Sequence, residues 1–280
     1  MTERQRVNLG EIQETLLIPL YGRAVETRKR RPLLCDPVAV EIVESLDYDF
    51  ARFDGGPSLL GSVLRTMVFD EWARAFLGRH PAGTVIEIGS GLNTRFERLD
   101  NGRLHWVDLD LPDVVALRRQ FFTDSSRRHT VAASVLEQDW LAVVATCPGP
   151  YLFLSEAVLI YLAEVDVQRT LTQISVRFPT ARLALDTAGP HMVATQDRHD
   201  ALSKVTARMR WSCDDPAQLE QWGLGLRLVA SRTLAQPPAA APVGYRLMMP
   251  LIGAVWRRKF SSYRLNLYQC GVDQDGPAQH

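Results

Sequence analysis

Cysteine is scarce and scattered. Cys35, Cys147, Cys213 and Cys270, four in 280 residues, form no C-x-x-C pair and no Cys/His ligand spacing. That excludes a zinc module and a disulfide scaffold as the basis of the fold, and the thiols are expected to be reduced. Net charge is also missing, with 32 Lys and Arg against 32 Asp and Glu, so no global field draws the chain to nucleic acid or to an anionic membrane. No run approaches the roughly 18 apolar residues of a membrane span, and residues 1–10 are polar, without the apolar core of a signal peptide. No repeat or low-complexity linker divides the sequence. What remains is the expectation of a soluble, cytoplasmic protein, one large α/β domain over 1–280, acting on a small molecule; its oligomeric state is left open.

The most informative segment is Thr84-Val85-Ile86-Glu87-Ile88-Gly89-Ser90-Gly91-Leu92-Asn93-Thr94-Arg95, followed by His105-Trp106-Val107-Asp108-Leu109-Asp110-Leu111-Pro112. An apolar strand runs into a glycine turn, and a second strand ends in acids, the layout of a nucleoside-binding site. Gly89 and Gly91 allow a sharp turn and close approach of a ligand, and an acid beyond the second strand can accept ribose hydroxyl protons. A dinucleotide site would have a third glycine where Thr94 stands, and no lysine completes a phosphate-binding loop. The pattern therefore suits a ligand with ribose and adenine but no phosphate.

Around this segment, helical patterns over 11–30, 36–46 (opened by the Asp36-Pro37 cap) and 58–77 make an N-terminal helical region spanning 9–77. Leu64, Val68, Trp72 and Phe76 form an apolar stripe on the third. Strand-like runs then alternate with helices at 84–88, 104–108, 130–133, 151–155, 182–186, 226–231 and 263–270. This predicts a seven-stranded, mostly parallel, doubly wound sheet, the last strand alternating as an edge or late antiparallel strand would. Ligands bind beyond the strand C-termini of such sheets, so Gly89, Asp108, Asp110, Ser134 and Glu156 are expected at one crevice. Two insertions, 189–223 with helices over 200–210 and 215–222, and 236–260 with the methionine-bearing 248–256, are expected to lie outside the sheet as a lid. The second could line a hydrophobic pocket, meet a partner subunit, or simply pack.

Five separated motifs resemble the leucine carboxyl methyltransferase superfamily, and within it the tetracenomycin-type polyketide O-methyltransferases. They are residues 12–24 (IQETLLIPLYGRA), 33–39 (LLCDPVA), the "L-G-x-G-x-D-T-R" turn at 88–95, "D-x-P" at 110–112, and "S/A-E-G-V-L-x-Y-L" at 155–162. The resemblance covers about residue 11 to 271 and implies a Rossmann-like methyltransferase fold using S-adenosylmethionine. It implies that Glu87, Gly89 and Gly91 lie against the cofactor, that Arg65 grips its carboxylate, and that Glu156 binds it. Arg30, or Arg28 beside it, is implied as a second basic contact, and Asp110 or Asp108 as the ribose acid. Ser134 and Val135 stand at the adenine position. Two residues depart from the family pattern: Asn93 replaces its aspartate, and Ser134 replaces an acid that meets the adenine amino group.

Tyr161 and His191 are the polar candidates near the transfer site. A carboxylate, with a pKa near ~4, is already ionised and requires no base, whereas a phenol near ~10 benefits from one. Carboxyl methylation of an aromatic or polyketide-like acceptor is the expected reaction. Phenol methylation, methylation of a protein C-terminus, and a cofactor-binding relative without turnover are the alternatives.

Overall fold

The computed structural model describes residues 4–7, 9–255 and 260–271. Seven strands make one sheet: β1 (Thr84–Ile88), β2 (His105–Asp110), β3 (Arg128–Ala132), β4 (Tyr151–Ser155), β5 (Arg182–Ala188), β6 (Leu226–Thr233) and β7 (Tyr263–Cys270). Their order is β3-β2-β1-β4-β5-β7-β6. β1 to β5 are mutually parallel, and β7 runs antiparallel between β5 and β6. Every residue of β1 is buried, as a strand covered on both faces requires. The alternating last strand is antiparallel but not at the edge; that place belongs to the more exposed β6, while Leu265 to Tyr268 of β7 are buried.

Helices cover both faces. α3 (Pro57–Arg79) brings Val68, Trp72 and Phe76 of the expected stripe against the sheet, with Leu64 buried outside that cluster, but Val63, Met67, Phe69 and Ala73 are buried too. It is wrapped on its other side by α1 (Leu17–Thr27), which also carries α2 (Pro37–Ser45). The helix expected over 11–30 is shorter. Pro19 clashes with a helical carbonyl four residues upstream, so the chain enters α1 through a 3-10 turn, Gln13–Leu16. The Asp36 cap forms as expected, its Oδ1 accepting from Ala39 N at 3.1 Å ahead of Pro37. Short helices α4 (Arg95–Leu99) and α5 (Pro112–Arg118) follow β1 and β2, and the opposite face carries α6 (Asp139–Ala145) and α7 (Glu164–Arg177), whose Trp140, Val144, Leu171 and Ile174 pack on Val107, Phe153 and Leu183.

The insertions depart most. Residues 189–223 hold α8 (Pro190–Ala194) and short 3-10 turns, including Pro216–Trp222 capped by Asp215 as expected. The helix expected over 200–210 does not form beyond the turn Leu202–Lys204. Val205, Ala207, Met209, Trp211 and Cys213 are instead buried at every second position, so this segment is extended. In the second insertion α9 spans Val243–Val255 with Pro250 inside it; residues 256–259 lie outside the described residues. Among the described residues no helix is long and apolar enough to cross a membrane, and no cluster could hold a metal ion.

Candidate active site

The sheet's winding reverses between β1 and β4, and a cavity of about 1380 Å³ opens at their carboxyl ends. The turn after β1 is set by backbone sterics. Gly89 and Gly91 have φ of +66° and +50°, and a Cβ on Gly89 would stand 2.2 Å from Val158 Cγ2. Gly89 N donates to Leu109 O at 2.8 Å, and Gly91 N to Asp110 Oδ2 at 2.6 Å. The second Asp110 oxygen accepts from Leu111 N at 2.8 Å. Burial pushes the Asp110 carboxyl up to about 6, against the pull of those two N–H groups.

Beside it, at the carboxyl ends of β1 and β4, lies a buried network of charges. Glu156, just after β4, accepts from Arg65 Nε at 2.9 Å, from Thr66 Oγ1 at 2.8 Å and from Arg95 Nη2. Burial alone would raise its pKa, but Arg65 and Arg95 prevail and hold it at about 2. Arg95, fully buried, also donates to Asp70 (2.7 Å) and to Glu87. Glu87 accepts from Asn93 Nδ2 at 2.7 Å, and burial lifts it to about 7 despite Arg95. Arg65 Nη1 reaches Tyr263 Oη at 3.2 Å, and its Nη2 has no hydrogen-bond partner among the described residues.

Of the residues singled out from sequence, Arg65, Glu87, Gly89, Gly91, Asp110, Ser134, Val135, Glu156, Tyr161 and His191 line this one cavity. Tyr161 is buried, and its phenol is raised to about 12 by desolvation, with Arg65 opposing. His191 is exposed at the rim. Two others lie elsewhere. Arg30 is exposed beyond the end of α1 and does not line the cavity; the basic residue α1 turns inward is Arg23, which pairs with Asp36 at 2.8 Å and donates to Leu92 O. Asp108 is fully buried, two residues deeper along β2 than the strand end where the crevice opens. It pairs with Arg118 at 2.9 Å and Arg128 at 2.8 Å, and Arg118 in turn holds the carbonyls of Gly91 and Asn93. Asp108 thus braces the glycine turn from behind.

Sequence reasoning assigned no place here to Arg23, Arg95, Asp70, Tyr263, Ser58, His199 or Asp200. Arg95 closes the quoted glycine motif, a signal that was present; the lid residues belong to no motif. Ser58 donates to Asp200 Oδ1, its backbone N donates to Asp200 Oδ2 at 3.1 Å, and its Oγ lies 3.2 Å from His199 Nε2, which fastens the 189–223 insertion to the start of α3. The rest of that half of the cavity is mainly apolar, with Leu60, Met192, Leu202, Met209, Leu234 and Met249.

The donor set fits the cofactor implied by the resemblance. The Asp110 carboxylate suits ribose hydroxyls, the guanidinium of Arg65 has a free edge for a carboxylate, and the glycine turn between them brings backbone to the cavity wall. Ser90 Oγ and Asn93 Oδ1, both on the cavity wall, lack a hydrogen-bond partner among the described residues.

Comparison with known proteins agrees. A family model described as leucine carboxyl methyltransferase matches residues 17–175. The tetracenomycin polyketide synthesis O-methyltransferase TcmP of Streptomyces glaucescens is 31% identical over 239 residues, 85% of this chain and 88% of its own length. The S-adenosyl-L-methionine-dependent methyltransferase dpfgK of Gibberella zeae is 27% identical, covering 80% and 83% respectively. In fold, a DUF574 family protein from Streptomyces avermitilis superposes with a TM-score of 0.53 at 15% identity, over 91% of this chain and 97% of that one. The chain belongs to the leucine carboxyl methyltransferase family, on its tetracenomycin-type branch, and is an S-adenosylmethionine-dependent methyltransferase.

Proposed function

We propose that the chain methylates oxygen, esterifying a carboxylate of an aromatic or polyketide-like small molecule. The observation that carries this reading is the division of the cavity: charged groups gather at one end, under β1, β2 and β4, and a mainly apolar space extends beneath the lid. Its volume exceeds the roughly 300–1,000 Å³ of a site for one ligand, so cofactor and acceptor fit side by side. The similarity to TcmP supports a polyketide-like acceptor.

In this reading Arg65 offers Nη2 and its end-on edge to the amino-acid carboxylate, Asp110 accepts from ribose hydroxyls, and the Gly89 turn lies against the methionine portion. Ser134 and Val135 flank the adenine. The bound cofactor supplies a sulfonium methyl, whose transfer leaves a neutral thioether, so the protein's task is alignment and exclusion of water. Tyr161, with its phenol raised to about 12, is protonated at neutral pH; it can donate a hydrogen bond to an acceptor oxygen but cannot remove a proton. His191, on the rim, is the other polar group toward the acceptor. An acceptor that arrives ionised suits these residues better than a phenol. The insertion 189–223 and the described part of the second, 236–255 and 260, serve as the lid, α9 contributing Tyr245 and Met249 to the wall.

The test is methyl transfer from labelled cofactor to a panel of aromatic acids and matched phenols. The expected product is an ester that releases methanol in mild base. Base-stable label, found only with the phenols, overturns the carboxylate reading.

A further inference from the structure

The antiparallel strand supplies a residue that parallel strands cannot. β7 runs opposite to its neighbour, so its first residue, Tyr263, pairs with Ala188 at the carboxyl end of β5 and reaches the ligand edge of the sheet. Tyr263 is 8% exposed, lines the cavity, and bridges two charged groups: its hydroxyl accepts from Arg65 Nη1 at 3.2 Å and donates to Asp186 Oδ2. Asp186 lies on β5, is fully buried and does not itself line the cavity. Its two oxygens also accept from Ala157 N, at 3.0 and 2.8 Å. Ala157 has φ +56°, a left-handed conformation unusual for a residue with a Cβ. It follows Glu156, so the Asp186 contact fixes the turn that aims the Glu156 carboxylate at Arg65 Nε.

We infer that Asp186 and Tyr263 are positioning residues that orient Arg65 toward the amino-acid carboxylate of the cofactor. The guanidinium is fixed at two of its three nitrogens, Nε by Glu156 and Nη1 by Tyr263. With those two points fixed it cannot swing about its long side chain, and Nη2 faces one direction. An arginine so held loses less rotamer freedom on binding than one with a single partner. Asp186 in turn fixes both tethers, through the tyrosine hydroxyl and through the Ala157 amide. The inference rests on the proposed role of Arg65 as carboxylate anchor.

Two ligands separate the two ideas. S-adenosylhomocysteine carries the amino-acid carboxylate; 5′-methylthioadenosine shares its nucleoside and lacks that end. Calorimetric Kd values for both are compared in the native chain and in Tyr263→Phe, Asp186→Asn and Arg65→Ala. Tyr263→Phe and Asp186→Asn are expected to weaken S-adenosylhomocysteine roughly tenfold and to leave 5′-methylthioadenosine unchanged, which a general loss of structure would not do. If both ligands weaken alike, or neither changes, in these two variants while Arg65→Ala still weakens only S-adenosylhomocysteine, the positioning role is overturned and the anchor stands. If Arg65→Ala affects the two ligands equally, the anchor itself is wrong and the positioning role falls with it. Should Tyr263→Phe fail to fold, Asp186→Asn gives the same readout with side-chain volume preserved.

Discussion

Asn93 shows how one side chain sets the electrostatics of the glycine turn. Its amide donates to Glu87 at 2.7 Å, satisfying a carboxyl that burial has lifted to about 7. Asn93→Asp, which restores the residue the family pattern expects, would face one carboxylate with another. Below pH 7 the pair can share Glu87's proton; above it both must ionise, with Arg95 and the more distant Arg118 compensating only in part. The variant should therefore lose about 1–3 kcal/mol at pH 8 and clearly less at pH 6. Thermal melts at both values check this, and an equal loss at both refutes it. Gly89 is constrained twice, by its φ of +66° and by Val158 2.2 Å from the site of a Cβ. Gly89→Ala is expected to cost about 2–4 kcal/mol, and adding Val158→Ala should recover the steric part while leaving the conformational part. No recovery in the double variant would mean the backbone cost accounts for all of it. At this scale the sequence was legible where a residue type has one use: glycines in the turn and an acid at a strand end. It was ambiguous between Asp108 and Asp110, two residues apart on one face of β2, because alternation assigns a face and not a depth. Burial sends the deeper acid to Arg118 and Arg128.

The strands were legible because Val, Ile, Leu and Phe runs of five or so residues between helices have few other solutions in a chain this long. The 189–223 insertion was not. Its segment Val205-Thr206-Ala207-Arg208-Met209-Arg210-Trp211-Ser212-Cys213 alternates apolar and polar residues, an extended pattern, yet the expectation over 200–210 was a helix, and the structure pairs the segment with no sheet strand. Contacts far along the chain hold it: Arg210 N donates to Ile160 O at 2.8 Å, Cys213 N to Ala188 O at 2.8 Å, and Gln196 brackets Met209 with Oε1 and Nε2. The 189–223 insertion, the proposed lid, meets α3 at Asp200, which accepts from the backbone N and the hydroxyl of Ser58 in the manner of a helix cap supplied from another element. Asp200→Ala should release that fastening at a cost of about 1 kcal/mol. The effect should appear as a several-fold rise in the KM for the acceptor, little change in the KM for cofactor, and faster proteolysis within 189–223. A rise in the cofactor KM of the same size would place the effect at the wrong end of the cavity.

The whole molecule carries no net charge, yet its active end concentrates buried acids in two classes. Asp70 and Glu156 are buried, which would raise them, but their arginines hold both near 2. Their stabilising effect is complete above the unfolded carboxylate range, near ~4, and disappears as the pH falls through about 2. Glu87, Asp110 and Asp186 are lifted by burial to about 7, 6 and 6, in each case against opposing partners that only partly offset it. For these the sign reverses: the folded state binds protons more tightly than the unfolded chain, so their contribution is greatest below about pH 4 and is lost as the pH rises through 6 to 7. The cofactor-free protein should therefore melt highest between about pH 4 and 6 and lose stability toward pH 8, a trend that Asp110→Asn should flatten in part. Ligand binding has the opposite pH dependence. On the proposed role of Asp110, ribose hydroxyls donating to it favour its ionised form, so binding should lower that carboxyl's pKa and affinity should fall as the pH drops below about 6. Calorimetry of S-adenosylhomocysteine from pH 5 to 8 should show affinity rising to a plateau above pH 6, with a proton released on binding at the lower values. In Asp110→Asn the binding should be weaker throughout and the step gone. A step that survives unchanged in that variant would move the titrating group to Glu87 or Asp186, and the ribose contact would no longer explain the pH dependence.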